Sequence, residues 1–80
     1  RYDEALAVVR SVRDQYLSTD GPHHRLTLEA EALEAGLLLL AGRLDEAGVL
    51  LRRNYASMRE HLGDLDMSTR SAAINLAALE

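Results

Sequence analysis

The 80-residue chain has no cysteine, tryptophan, phenylalanine or lysine, and only one proline. Without cysteine it can form neither a disulfide bond nor a thiolate metal site. β-Branched residues are few and nowhere alternate with polar ones, so the sequence carries no strand signal. All nine basic residues are arginine and the net charge is −4. This balance argues against a nucleic-acid ligand, because phosphate binding needs a basic patch.

A long apolar run is also missing. The longest one, Gly36 to Gly42, is far too short to span a bilayer, and the sequence has no signal-peptide pattern. We therefore expect no membrane contact and a cytoplasmic location, which the lack of cysteine fits. Because the chain opens on a helical pattern without an initiating methionine, we also expect it to be a piece of something longer.

Residues that could carry catalysis are equally scarce. The chain has no cysteine nucleophile and no activated-serine motif, and its glycines never form a phosphate-binding loop. His23 and His24 are adjacent while His61 is remote, whereas a metal site needs three or four converging ligands. The sequence thus predicts a protein that is not an enzyme, with no catalytic residues, no cofactor and no metal ligands.

What the chain does contain is an internal repeat. The segment Arg1 to Ala5 recurs as Arg43 to Ala47 at an offset of 42 residues. The same gap-free offset pairs several further identical residues along the chain: Arg10 with Arg52, Gly21 with Gly63, Thr27 with Thr69, and Ala30 with Ala72. We predict one fragment over residues 1–80, made of two repeat units at approximately 1–42 and 43–80.

Hydrophobic periodicity predicts four helices and an all-α fold. The first three are expected at about residues 2–19, 25–41 and 44–62, and the fourth runs from an N-cap at Asp66 or Ser68 to the end of the chain. Gly21, Gly42 and Gly63 follow the first three, where glycine supplies a left-handed cap. Leu and Ala dominate these segments, which favours aliphatic helix–helix packing.

Two sequence pieces carry a family resemblance. The pieces Gly42 to Ala47 and Asn75 to Ala77 resemble the start of the second helix and the middle of the first helix of a tetratricopeptide repeat. The 42-residue period resembles the kinesin-light-chain-like subclass, and Gly21 to Leu28 is similar to that subclass's inter-repeat segment. The resemblance implies antiparallel helix-turn-helix repeats in an α-α superhelix that starts and ends in mid-repeat.

The resemblance also implies a function and a site. In families of this fold, the first helices of successive repeats line a concave groove that holds extended peptides. The chain would then be a protein–protein interaction scaffold that binds a protein or peptide partner. By the same resemblance, the groove residues come from the second and fourth helices: Glu29, Ala32, Leu33, Gly36, Ser71, Ile74, Asn75 and Ala78.

The second helix departs from the family pattern, which has apolar residues where Glu31 and Glu34 stand. A helical wheel places both glutamates on the side opposite to Leu26, Leu33 and Leu40. Since an ionised carboxylate is costly to bury without a partner, we favour a solvated face for the two glutamates. A rotated helix, or pairing with arginine from a neighbouring helix, remains open.

Alternative functions also remain open. The repeats could be a regulatory or sensor segment of a larger signalling or transcription-regulating protein, or a closed four-helix bundle with a structural, oligomerising role. Fewer than three repeats leave apolar surface uncovered at both ends, on Leu6, Val8 and Val9 and on Leu76 and Leu79. We therefore predict that the fragment self-associates, with a two-fold homodimer as the expected form.

Overall fold

A computed structural model describes residues 1–79 and contains four α-helices. They are α1 (Tyr2–Asp20), α2 (Arg25–Leu40), α3 (Leu44–His61) and α4 (Met67–Leu79). No strand occurs among these residues. The all-α class and the number of helices are therefore confirmed, and each predicted boundary lies close to the observed one.

The helices pack in chain order. α1 lies against α2, α2 against α3 and α3 against α4, and α2 also approaches α4. Within residues 1–79, α1 comes close to neither α3 nor α4. The result is a flat array of 32 × 32 × 17 Å, in which the four helices do not close into a ring.

The turns that join the helices depend on glycine. Gly42 and Gly63 have φ of 78° and 92°, which favours a residue without Cβ. At the first of them, Arg43 N–H donates to Leu38 O at 2.9 Å and Gly42 N–H donates to Leu39 O at 3.0 Å. This is a Schellman ending, as expected. Gly21 differs from the prediction, because its φ of 90° is combined with an extended ψ of 170°.

The choice between the two predicted caps of α4 is also resolved. Asp66 Oδ1 accepts a hydrogen bond from Ser68 N–H at 2.9 Å, so Asp66 satisfies one of the free donors at the start of α4. The Ser68 hydroxyl instead donates to Glu29 Oε2 of α2 at 2.9 Å. Ser68 therefore links two helices rather than capping one.

Two apolar clusters form the core. The buried residues of the larger one come from α1, α2 and α3, and α4 adds the half-buried Leu76 and Leu79 at its edge. The smaller one lies between α2, α3 and α4 and consists of Leu28, Met58 and Ala72. The buried members of the larger cluster are Leu6, Ala35, Leu38, Ala47, Leu50 and Leu51.

The solvated face predicted for the glutamates is wrong for Glu34, which is only 4% exposed. Arg10 Nε donates to Glu34 Oε2, and Arg13 NH1 donates to Glu34 Oε1, both at 2.7 Å. Glu31 is half-buried, and its carboxylate lies 3.9 Å from Arg53 of α3. The alternative of arginine partners from neighbouring helices is therefore the one observed, and it removes the cost of an unpaired buried carboxylate.

The orientation of α2 follows from these pairs. Its buried side carries Thr27, Glu34 and Leu38, whereas Leu26 and Leu33 are exposed. This is the reverse of what the helical wheel predicts from hydrophobicity. The buried side also holds Leu28 and Leu38, which are 1% and 2% exposed, so α2 keeps an apolar contact in the same orientation that pairs Glu34 with two arginines.

The predicted apolar ends are corrected in part. Leu6 and Val9 are buried in the core, and Leu76 and Leu79 are half-buried against the larger cluster. Of the five residues predicted to leave apolar surface uncovered, only Val8 is strongly exposed, at 64%. The first two are covered because α2 packs over that side of α1.

Candidate functional site

Four of the eight predicted groove residues lie on α2 and four on α4, and we call this set of residues the α2–α4 face. Three of them, Glu29, Ala32 and Ser71, come together around a recess of about 200 Å³ between the two helices. Met58 of α3 forms part of its wall, and Met67 and Ser68 complete it. The fold thus brings residues that are distant in sequence into a shared concave site.

The other five predicted residues are arranged differently. Leu33 turns toward α1 rather than α4, and Ile74 and Ala78 are exposed on the outer side of α4. Asn75 is half-buried. Gly36 adjoins open space, with no atom within 4 Å of where a Cβ would stand. The recess therefore brings together only three of the eight predicted residues.

The rim of the recess is polar and tied together across the two helix starts. Arg25 forms an ion pair with Asp66 and lies 3.5 Å from the Glu29 carboxylate. The hydrogen bond from Arg25, together with that from Ser68 N–H, lowers the pKa of Asp66 below its ordinary value. Glu29 accepts from the Ser68 hydroxyl. The recess therefore combines an apolar floor with a carboxylate and hydroxyls at its edge.

A second concave surface was not predicted from the sequence. It is a groove of about 350 Å³ between α1 and α2, which we call the α1–α2 groove, and its lining is largely apolar. Its signal in the sequence was the set of leucines that a wheel assigns to the core side of α2. The lining residues are Val8, Val9, Val12, Tyr16, Leu26, Glu29, Ala30 and Leu33.

A third cavity, of about 420 Å³, lies between α1, α2 and α3, and four charged side chains are among the residues that line it. Its charged residues are already engaged, since Arg13 binds Glu34 and Asp14, and Arg53 lies near Glu31. These pairs balance the arginine charges with carboxylates. The cavity therefore presents no excess of either sign to a ligand.

The three histidines have structural positions. His23 stacks on His61, with ring centroids 4.0 Å apart and ring planes 13° from parallel. His24 Nδ1 accepts from Leu26 N–H at 3.1 Å and caps α2. Residues 1–79 contain no group of three or more histidine, aspartate or glutamate side chains placed to hold a metal ion.

Comparisons with known proteins give no relative for this chain: no family model, no curated protein and no solved structure matches it. Among the described helices, none is both long and apolar enough to cross a membrane. The fold thus defines a small all-α protein, and any function must be argued from its surfaces.

Proposed function

We propose that the chain is a protein–protein interaction module of the tetratricopeptide kind, with the α2–α4 face as its partner-binding surface. The open chain-order packing of the helices supports this proposal, as does the burial of Glu34 at a position where the family pattern has an apolar residue. The module binds rather than catalyses. We further propose a cytoplasmic location, because a chain without cysteine needs no oxidising compartment.

The observation that carries the proposal is the recess between α2 and α4. Ala32 and Met58 give it an apolar floor that accepts a small aliphatic side chain, while Ser68 and Ser71 offer hydroxyls at its edge. Glu29 adds a carboxylate that accepts hydrogen bonds from backbone N–H groups or from a basic side chain. An extended peptide with alternating small apolar and polar or basic residues has the chemistry to fill this site.

Peptides selected from a displayed random library against the chain test this function. Ala32→Arg and Ser71→Arg each fill the recess, and each should weaken binding of a selected peptide by about tenfold or more, equivalent to ~1.4 kcal/mol. Ala7→Arg on the exposed side of α1 is the matched control and should leave affinity unchanged. A selection that yields no binder, or binders indifferent to both recess substitutions, would count against the proposal.

The alternatives make different demands on the fold. A closed four-helix bundle requires α4 to pack on α1, and these two helices are apart in the part of the chain described. A regulatory or sensor role places the activity in domains that this sequence does not contain. No feature of the surfaces favours either alternative over peptide binding.

A further inference from the structure

The internal repeat allows α1, which borders the α1–α2 groove, to be compared with α3, which α2 covers. The offset of 42 residues relates α1 and α2 to α3 and α4 position by position. On α3, Leu50 and Asn54 are buried because α2 packs over them. The equivalent residues of α1 are Val8, which is 64% exposed, and Val12, which is 37% exposed. Among the described residues, no helix covers α1 as α2 covers α3.

We propose that the α1–α2 groove receives α4 from a second copy of the chain, in the same way that α2 covers α3 and α4 within one copy. Glu29 lines both this groove and the recess, so the test must separate association of copies from peptide binding. The side of α2 that faces α3 has its equivalents on the free side of α4, where they are exposed or half-buried. The equivalent residues on α4 are Arg70, Ala73, Ile74 and Ala77.

Where the internal interface has an ion pair, the repeat offset replaces both charged residues at the proposed interface. Within one copy, Arg53 of α3 lies 3.9 Å from Glu31 of α2. The offset replaces Arg53 by Ser11 and Glu31 by Ala73. Both members of the ion pair are therefore replaced by small neutral residues, and neither charge is left without its partner in the second interface.

At another position, an apolar contact of the internal interface corresponds to an acidic and a basic residue at the proposed interface. Leu62 packs against the cluster that contains Leu28 within one copy. The offset replaces Leu62 by Asp20 and Leu28 by Arg70, so an apolar neighbourhood becomes an acid and a base. Asp20 and Arg70 are both exposed, and neither has an ion pair within residues 1–79. The proposed contact brings these two free charges together.

The ion pair between the starts of α2 and α4 behaves like the Arg53–Glu31 pair, because both of its members are replaced together. Arg25 of α2 binds Asp66 within one copy. At the proposed interface the equivalent residues are Met67 and His24. Here too both charged partners are replaced, so burial of the apolar groove carries no charge that lacks a counterion.

This contact joins different surfaces of the two copies and is therefore head-to-tail. Such an interface does not close after two chains, because each added copy leaves one groove and one α4 free. A two-fold dimer, in which two grooves face each other, stops at two copies and does not bring Asp20 to Arg70. The two arrangements thus differ both in how mass grows with concentration and in which residues matter.

Light scattering of the 80-residue chain from micromolar to millimolar concentration tests the proposal. We expect the mean mass to rise beyond two chains. Val12→Asp should block the groove and Ile74→Asp should block α4, so that each variant alone has the mass of one chain. An equimolar mixture of the two should form a complex of two chains that grows no further. Val49→Asp, at an exposed valine outside both surfaces, is the matched control and should associate normally.

A charge exchange provides a second readout that does not place a charge in the apolar groove. Asp20→Arg alone should weaken association by about three- to tenfold, and combining it with Arg70→Glu should restore it. A wild-type chain that keeps the mass of one copy throughout would overturn the proposal. So would an Ile74→Asp variant that still dimerises, because it would indicate a two-fold groove-to-groove contact. Peptide selection on the monomeric Val12→Asp variant keeps the test of the recess separate.

Discussion

The buried carboxylate of Glu34 offers the sharpest test of how α1 and α2 are held together. Its two oxygens accept separate hydrogen bonds at 2.7 Å from Arg10 and Arg13, which lie one turn apart on α1. Glu34→Gln keeps the shape of the side chain but removes the charge, and it leaves one of the two acceptors as an N–H₂ group that faces an arginine. We expect the folded state to lose stability.

The magnitude follows from the burial of the three side chains. A hydrogen bond to a charged group contributes about 1.5–3 kcal/mol net, and breaking a fully buried pair costs about 3–5 kcal/mol. The arginine side chains remain 38% and 22% exposed, so water can rehydrate them when the carboxylate is gone. We therefore expect Glu34→Gln to lower the free energy of unfolding by about 1–3 kcal/mol.

Replacement by leucine should be less harmful than replacement by glutamine. The offset of 42 residues places Leu76 at the position of Glu34 and Tyr55 at that of Arg13, so the second unit already holds an apolar residue there. Leucine leaves no buried polar atom, and the arginines can turn toward solvent. Glu34→Leu should thus unfold at a higher urea concentration than Glu34→Gln.

Urea unfolding followed by circular dichroism, at one fixed protein concentration, measures these differences. Glu46→Gln is the matched control, because Glu46 accepts from Arg43 with both oxygens but lies at the surface. Its loss should be clearly smaller than that of Glu34→Gln. Equal losses for the two glutamates, or a Glu34→Gln variant as stable as the wild type, would refute the reasoning.

Four further predictions each concern a single position. Arg25 holds the pKa of Asp66 below its ordinary value, so Asp66 stabilises the fold when the pH is above that ordinary value, and the contribution is lost as the pH falls through the lowered pKa. The urea midpoint of Asp66→Asn should therefore lie below that of the wild type near neutral pH and approach it in acid. Gly36→Ala should increase the free energy of unfolding by about 0.5–1 kcal/mol and so raise the melting temperature, since a Cβ there meets open space. Gly42→Ala should decrease the free energy of unfolding by roughly 1–2 kcal/mol, since the φ of Gly42 is 78°. Equal changes in melting temperature for the two glycine substitutions would contradict both predictions. Ala47→Leu should destabilise by roughly 1–3 kcal/mol, because Ala47 is fully buried, and an unchanged melting temperature would show that the helix pair is not closely packed there.

The order and bounds of the helices could be predicted because their signals are local. Gly42 and Gly63 stop α2 and α3 through backbone conformations that need no distant partner. Asp66 starts α4 through a hydrogen bond to a residue two positions away. Signals of this kind involve only a few neighbouring residues, so they can be read from the sequence without knowledge of the tertiary structure.

The candidate site could be predicted only in outline. The family resemblance assigns the eight residues of the α2–α4 face to α2 and α4, and these two helices approach each other in the structure. The recess itself depends on Met58 of α3, which enters from a third helix. Because the position of Met58 depends on how three helices cross, the spacing of residues in the sequence does not predict it.

The missed ion pairs and the missed groove have one physical cause. A helical wheel assigns Glu34 to solvent and Leu33 to the core because it considers α2 alone, whereas Arg10 and Arg13 approach from α1 and reverse that balance. Leu26 and Leu33 lie roughly a quarter turn around α2 from Glu34, and both are exposed. A wheel drawn for α2 alone shows neither the arginines of α1 nor the space left beside that helix, so the ion pairs and the apolar α1–α2 groove were missed for the same reason.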